Sequence, residues 1–310
     1  MTSIPYAIEA RGLRKEYGPK IAVRSLDLAI EPGQVYGFLG PNGAGKTTSV
    51  KMLLGLVHPT AGESRLLGVP SGSPQARKRV GFLPEHFRFH EWLAADEFLR
   101  YHGRLHCMSR ADAGRRADEL LERVGLHDAR TRRLSTFSKG MLQRIGLAQA
   151  LLHDPDIVFL DEPTSGLDPL GRRMVRDVIH DLAHRNKTVF LNSHLLSEIE
   201  VTCTRVAFVT DGVVRHETDL GEGHRDGLLF VTLRVDRVDE PLLQGLRRWS
   251  TQVEPSPDEA HTVTLRLDSE SALPEIARWL VDRGNALYTL APRTLSLEDL
   301  FVSIVESNTP

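Results

Sequence analysis

The run Gly40-Pro41-Asn42-Gly43-Ala44-Gly45-Lys46-Thr47-Thr48 constrains this chain more than any other segment. An apolar strand pattern, Val35–Leu39, runs into it, and an apolar-rich helix pattern leads away to Leu56. Its glycines let the backbone curl until successive amide N–H groups face one point. A helix beginning near Lys46 adds its positive dipole end. Strand, loop and helix in that order, with G-x-x-x-x-G-K-[ST] across the loop, form a cradle for nucleotide phosphates. All nine residues, Gly40 to Thr48, are therefore expected at that site. Lys46 is expected to reach the β- and γ-phosphates, and the Thr47 hydroxyl to ligate Mg2+.

Further along, the apolar run Ile157–Leu160 ends in Asp161 and Glu162. Carboxylates at the C-terminal end of a parallel strand face the ligand edge of the sheet. Asp161 suits an outer-shell hold on Mg2+, and Glu162 suits orienting or deprotonating an attacking water. Strand and helix patterns alternate up to about Gly223, which predicts an α/β domain with a mainly parallel sheet. The early strands alternate in polarity and predict an antiparallel β layer at the N-terminal edge. Helices are predicted at Lys46–Leu56, Asp96–Cys107, Arg110–Val124, Lys139–Leu152, Leu170–His184 and Leu195–Thr202.

The remaining features exclude function classes. Net charge is −2 across 310 residues, which offers no strong positive field for a polyanion, so no nucleic-acid partner is expected. Cys107 and Cys203 stand far apart and predict a reducing compartment. No signal peptide is read at the N-terminus. No apolar run approaches the ~18–20 residues that cross a bilayer. His86 and His90, and His102 and His106 beside Cys107, have i,i+4 spacing, but no third and fourth metal ligands accompany them. They are expected at the surface or an interface.

Taken together, these motifs resemble the nucleotide-binding subunit of an ABC transporter over about residues 5–220. Phe137-Ser138-Lys139-Gly140-Met141 resembles the family's signature motif, with Lys139 and Met141 departing from the usual Leu-Ser-Gly-Gly-Gln. The resemblance implies that Ser138 and Gly140 contact the γ-phosphate of ATP held by a second subunit. Ser165–Asp168 resembles the loop lining the dimer seam, which brings Asp168 into the nucleotide set. His194 resembles the switch histidine that bonds the γ-phosphate, and Tyr17 the aromatic residue that stacks on adenine. Glu85 stands where the family usually has glutamine, and a carboxylate there can still ligate Mg2+. Residues from His86 to about Phe98, with Phe87, Phe89, Trp92 and Leu93, would face a membrane partner.

The implied fold is a P-loop NTPase ABC cassette over residues 1–222, with a mainly parallel sheet core, an antiparallel β layer and a helical subdomain near 86–155. The implied function is an ATPase, using ATP and Mg2+, that powers a separately encoded integral membrane permease through ATP-driven closure of a homodimer or of a pair with a related second cassette. Export is the expected direction, and the implied location is cytoplasmic, peripheral at the inner face of the cell membrane. A soluble ABC ATPase acting on ribosomes or nucleic acid is the alternative. Residues 223–310 read as an accessory α+β domain, β-α-β-β-α-β in order, which is ferredoxin-like. A last helix is predicted from Ser296, with Leu297, Leu300, Phe301, Ile304 and Val305 on one face.

Overall fold

The computed structural model describes residues 6–86, 90–220, 229–250, 252–256, 259–267, 269–293 and Leu297. The chain divides into two compact units, Met1–Leu220 and Gly221–Pro310.

In the first unit, β1 (Ile8–Tyr17) and β2 (Lys20–Ile30) form a hairpin, and β3 (Val35–Leu39) leads into α1 (Lys46–Leu53). Next come β4 (Ala61–Leu66), β5 (Val69–Pro70), α2 (Pro74–Arg77) and β6 (Val80–Leu83). A helical block follows: α3 (Ala95–Leu105), α4 (Arg110–Arg123) and α5 (Lys139–Leu151). The chain returns through β7 (Ile157–Asp161), α6 (Pro169–His184), β8 (Thr188–Asn192), α7 (Leu196–Thr202), β9 (Arg205–Thr210) and β10 (Val213–Asp219).

Among the described residues these strands make one sheet, ordered β5-β4-β1-β2-β10-β9-β3-β8-β7-β6. From β9 to β6 the pairs are parallel. The β1–β2, β1–β4, β4–β5 and β9–β10 pairs are antiparallel. The two regions meet where β10 joins β2 through the single registered pair Val213–Ser25. The antiparallel strands expected at the N-terminal edge thus belong to the same hydrogen-bonded sheet as the parallel core. Every residue of β3, β7 and β8 is buried, as strands covered on both faces require. Phe190 packs between Phe38 and Phe159, each ring centroid 5.2 Å away.

Two elements differ from expectation for local reasons. Helix α1 stops at Leu53 rather than Leu56 because Gly55 takes φ +67. Its N–H bonds the Met52 carbonyl while Leu56 N–H reaches the Lys51 carbonyl, a Schellman ending. Strands β1 and β2 run longer than the Ala7–Leu13 and Leu26–Ile30 that alternation predicts, because register shifts near Ala10, Leu13 and Lys15 break the pattern.

The second unit comprises β11 (Leu229–Val235), α8 (Glu240–Leu246), β12 (Gln252–Pro255), β13 (Thr262–Leu267), α9 (Leu273–Asp282) and β14 (Leu287–Arg293). Its sheet order is β12-β13-β11-β14, with all pairs antiparallel. That order and the β-α-β-β-α-β sequence make it ferredoxin-like. Val231, Leu233, Leu265, Leu242, Ile276 and Leu280 form its dry core. The helix predicted from Ser296 lies, apart from Leu297, outside the described residues, as do Phe87, Phe89 and residues 221–228.

Candidate functional site

The phosphate loop leaves β3 and closes on itself. Gly43 and Gly45 take φ +86 and +91, in the left-handed region that side chains resist. Gly45 has a second constraint, because a Cβ there would lie 2.3 Å from the Ala22 carbonyl. Gly40 is equally confined, 2.2 Å from the Val209 carbonyl by the same measure. The Lys46 ammonium folds back over the loop, donating to the Gly40 carbonyl at 2.7 Å and the Pro41 carbonyl at 3.2 Å. Burial pushes the Lys46 pKa down, while Glu162, Asp161 and Glu85 pull it up.

A cavity of about 460 Å³ opens above this loop. It is lined by Asn42, Gly43, Gly45, Lys46, Thr47 and Thr48 from the loop, and by Lys20, Ala22, Glu85, Glu162, Ser165, Asn192 and His194 from four other segments. An adjoining hollow of about 250 Å³ is lined by Thr47, Glu85 and Asp161, with Lys51 and Phe82. The structure thus gathers the predicted phosphate, carboxylate and histidine residues from distant parts of the chain.

The carboxylates sit where β7 ends. Asp161 is 3% exposed, and Asn192 Nδ2 donates to its Oδ1 at 2.5 Å. Burial raises the Asp161 pKa; the Asn192 bond opposes this, and the neighbouring Glu85 and Glu162 add to it. Glu162 follows with φ +52, a left-handed conformation that costs a non-glycine residue about 1–3 kcal/mol. The cost is met by three bonds to its backbone: Glu162 N–H to the Asn192 carbonyl at 2.8 Å, and its own carbonyl accepting from Ser165 N–H and the Gln143 side-chain Nε2, each at 3.1 Å. The twist turns the carboxylate toward the cavity, where Oε2 lies 2.7 Å from His194 Nδ1. Glu162 is almost covered there, whereas His194 is largely exposed.

The signature residues lie elsewhere. Ser138 is the N-cap of α5, its Oγ accepting from Met141 N–H at 3.3 Å. Asp168 caps α6 by accepting from Gly171 N–H at 2.7 Å. Neither residue, nor Gly140, lines the cavity of its own chain. Tyr17 is half-exposed at the end of β1, with the Lys15 ammonium 4.9 Å from its ring centre. It does not line the cavity either, but its register partner Lys20 does. Trp92 is 69% exposed in the turn that leads into α3. His102 and His106 are not simple surface residues. His102 packs on Phe98 and Tyr101, and His106 stacks on His153.

Lys20 and Ala22, which line the cavity, were missed from sequence, and so were Asn192 and Gln143. Asn192 carried a usable signal, a polar residue ending an apolar strand. Gln143 carried none, because its partner lies 19 residues away across a packing interface.

A family profile described as ABC transporter matches residues 23–165. A Synechocystis protein described as an uncharacterized ABC transporter ATP-binding protein is 46% identical over 65% of this chain. The match spans 57% of that relative's own length. Nod factor export ATP-binding protein I of Cupriavidus metallidurans is 34% identical, over 98% of each chain. Bacitracin transport ATP-binding protein BcrA of Bacillus licheniformis is 33% identical over 97% of this chain and 98% of its own. Among solved structures, a dimeric ATP-binding cassette in a post-hydrolysis state, bound to ADP and Pi, aligns at TM-score 0.64 and 25% identity. That alignment covers 69% of this chain and 99% of the cassette. With relatives matching it almost end to end, a cassette fold and a phosphate loop facing paired carboxylates, this chain belongs to the ABC transporter ATP-binding proteins.

Proposed function

We infer that this chain is the ATP-hydrolysing subunit of an exporter, binding ATP at the phosphate loop and driving a separate membrane permease. The observation that carries the reading is the placement of Glu162, turned by its left-handed backbone into the phosphate-loop cavity and 2.7 Å from His194. In hydrolysis, water attacks the γ-phosphorus in line with the leaving ADP oxygen. Glu162 takes the proton from that water, and His194 holds the carboxylate and the γ-phosphate in register. Lys46 exchanges its loop carbonyls for β- and γ-phosphate oxygens, and the backbone amides of Asn42 to Thr48 take the rest.

Thr47, Glu85 and Asp161 supply the oxygen donors that suit Mg2+. Their fit is seen in Asp161, whose raised pKa reflects burial and carboxylate crowding that a divalent cation would relieve. Among the described residues no three His, Cys, Asp or Glu side chains form a metal cage by themselves. Held by these residues, Mg2+ would supply charge neutralisation for the transferring phosphoryl group.

Ser138, Gly140 and Asp168 do not reach the cavity of their own chain. A second cassette, from a homodimer or a close relative, would present them to the nucleotide instead, closing two ATP molecules in the seam. ATP drives closure to the extent that it binds the closed state better than the open one. Among the described residues no helix is long and apolar enough to cross a membrane, so the transport path belongs to the permease. The names of the Nod factor and bacitracin relatives support export. Attachment at the inner membrane face follows through the permease.

The test is a tagged pull-down from detergent-solubilised native membranes with ATP and Glu162→Gln. A polytopic membrane protein should be recovered in near-equal amount. The same variant should bind ATP while its turnover falls by about 10²–10⁴. Recovery of ribosomal or DNA-repair proteins without a membrane protein would overturn the transport reading, and full turnover would remove Glu162 as the base.

A further inference from the structure

Helix α5 grips the catalytic segment at three points. In its first turn, Gly140 sits against the Gly166–Leu167 turn, where a Cβ would lie 3.4 Å from the Leu167 side chain and 3.5 Å from the Gly166 carbonyl. In the next turn, Gln143 is 4% exposed and donates through Nε2 to the Glu162 carbonyl at 3.1 Å. Beside it, the Arg144 guanidinium lies 3.6 Å from Asp168 Oδ1, the oxygen that caps α6. One helix therefore holds the stretch from Glu162 to Asp168 at its start, middle and end. The N-cap of that same helix is Ser138.

The bond to Glu162 matters because of the conformation it secures. Left-handed backbone at a glutamate persists only where surrounding contacts over-determine it. The Ser165 N–H bond lies within the same turn and travels with it. The Glu162 N–H bond to the Asn192 carbonyl ties the turn to the end of β8; Gln143 fastens it to a second element, α5, and does so in a buried setting, where an unpaired polar group is unfavourable.

We propose that Gln143 is a positioning residue that locks the aim of Glu162 to the pose of α5. A nucleotide engaging Ser138 from the partner side thereby sets the hydrolytic geometry of this chain's own site. The proposal rests on the dimeric reading above. It gives the two ATP sites a mechanical link through the body of each subunit: phosphate at one end of α5, general base at its flank.

The test replaces Gln143 with Met, which keeps the side-chain length and removes the N–H. ATP affinity, read with a fluorescent ATP analogue, should match the parent. ATP-dependent dimerisation in the Glu162→Gln background, read by light scattering, should also be unchanged. The kcat should fall about 10- to 100-fold, as expected when a reacting group is misplaced by a fraction of an ångström to an ångström, with KM unaltered. Gln143→Asn, which keeps the amide but sits one methylene short, should show the same split and serves if the Met variant folds poorly. Parental kcat in either folded variant would overturn the proposal. So would equal loss of ATP binding and dimerisation, which would mark Gln143 as a support of the helix alone. If Glu162→Gln by itself stays monomeric in ATP, the dimeric reading fails, and with it the link across the seam.

Discussion

Acid should loosen the helical block, beginning at His153. This residue follows α5, and its ring stacks on His106, centroids 3.7 Å apart with planes 8° from parallel. Its Nε2 lies 3.2 Å from the Val80 carbonyl on β6. Burial, reinforced by His106, holds its pKa down to about 4, against the pull of the Val80 bond, Asp154 and Asp156. His102 is likewise lowered to about 4 by burial and by His106 and His90, and burial lowers His106 as well. An imidazole kept neutral when folded, yet able to protonate near 6.5 when unfolded, makes the unfolded chain the stronger proton binder between those values. Stability is then full above about pH 6.5 and falls as pH drops toward 4. At about pH 5 a shift of that size weighs about 2 kcal/mol per histidine. Both rings are only part-buried, so solvent screening reduces this to ~1 kcal/mol each. Urea unfolding followed by circular dichroism at about pH 7.5 and about pH 5 reads the difference. His153→Gln keeps a donor for Val80 and cannot titrate. It should lose about 1 kcal/mol less than the parent between the two conditions. A variant with the parent's pH dependence would refute the reasoning.

Three further outcomes follow from the geometry. Gly45→Ala forces a side chain onto φ +91 and against the Ala22 carbonyl; it should abolish ATP binding and lower the melting temperature by several degrees, at about 2–4 °C per kcal/mol. Tyr17→Ala should weaken ATP about 2- to 12-fold, the equivalent of one aromatic stack, while Tyr17→Phe binds like the parent; equal weakening in both would remove stacking as the cause. A chain ending at Leu220, the close of the first unit, should bind ATP with parental affinity by calorimetry, because every residue of the cavity lies before it.

The amino-acid sequence displays what the chain writes locally. The loop from Gly40 to Thr48 is contiguous, and its glycines have few other uses. Ser138 announces its helix by capping it, and the central strands declare burial by unbroken apolar runs. Strand β4, by contrast, reads Ala-Gly-Glu-Ser-Arg-Leu and is mostly exposed; backbone pairing with β1 makes it a strand, and no hydrophobic pattern records that. The His106–His153 stack and the Gln143–Glu162 bond join residues far apart in sequence, so neither partner marks the other. Glu162 shows both sides. Its place after an apolar strand identified it as a candidate base, but nothing in its neighbours signalled the left-handed turn that aims it.

The large sheet has a narrow joining line between β10 and β2: among the described residues one registered pair, Val213–Ser25, with the Arg24 and Ser25 N–H groups both donating to the Gly212 carbonyl at 3.2 Å. Tyr17 and Lys20 stand on one side of it, and β3 with its phosphate loop stands on the other. A nucleotide with its base against Tyr17 and its phosphates in the loop would straddle that line like a staple across a crack. Adenine and triphosphate would then be sensed by two halves of one sheet, and cohesion between the halves would itself depend on whether the pocket is filled. Amide exchange along β2 and β10 should slow on adding ATP more than on adding inorganic triphosphate, which lacks the base that would reach Tyr17.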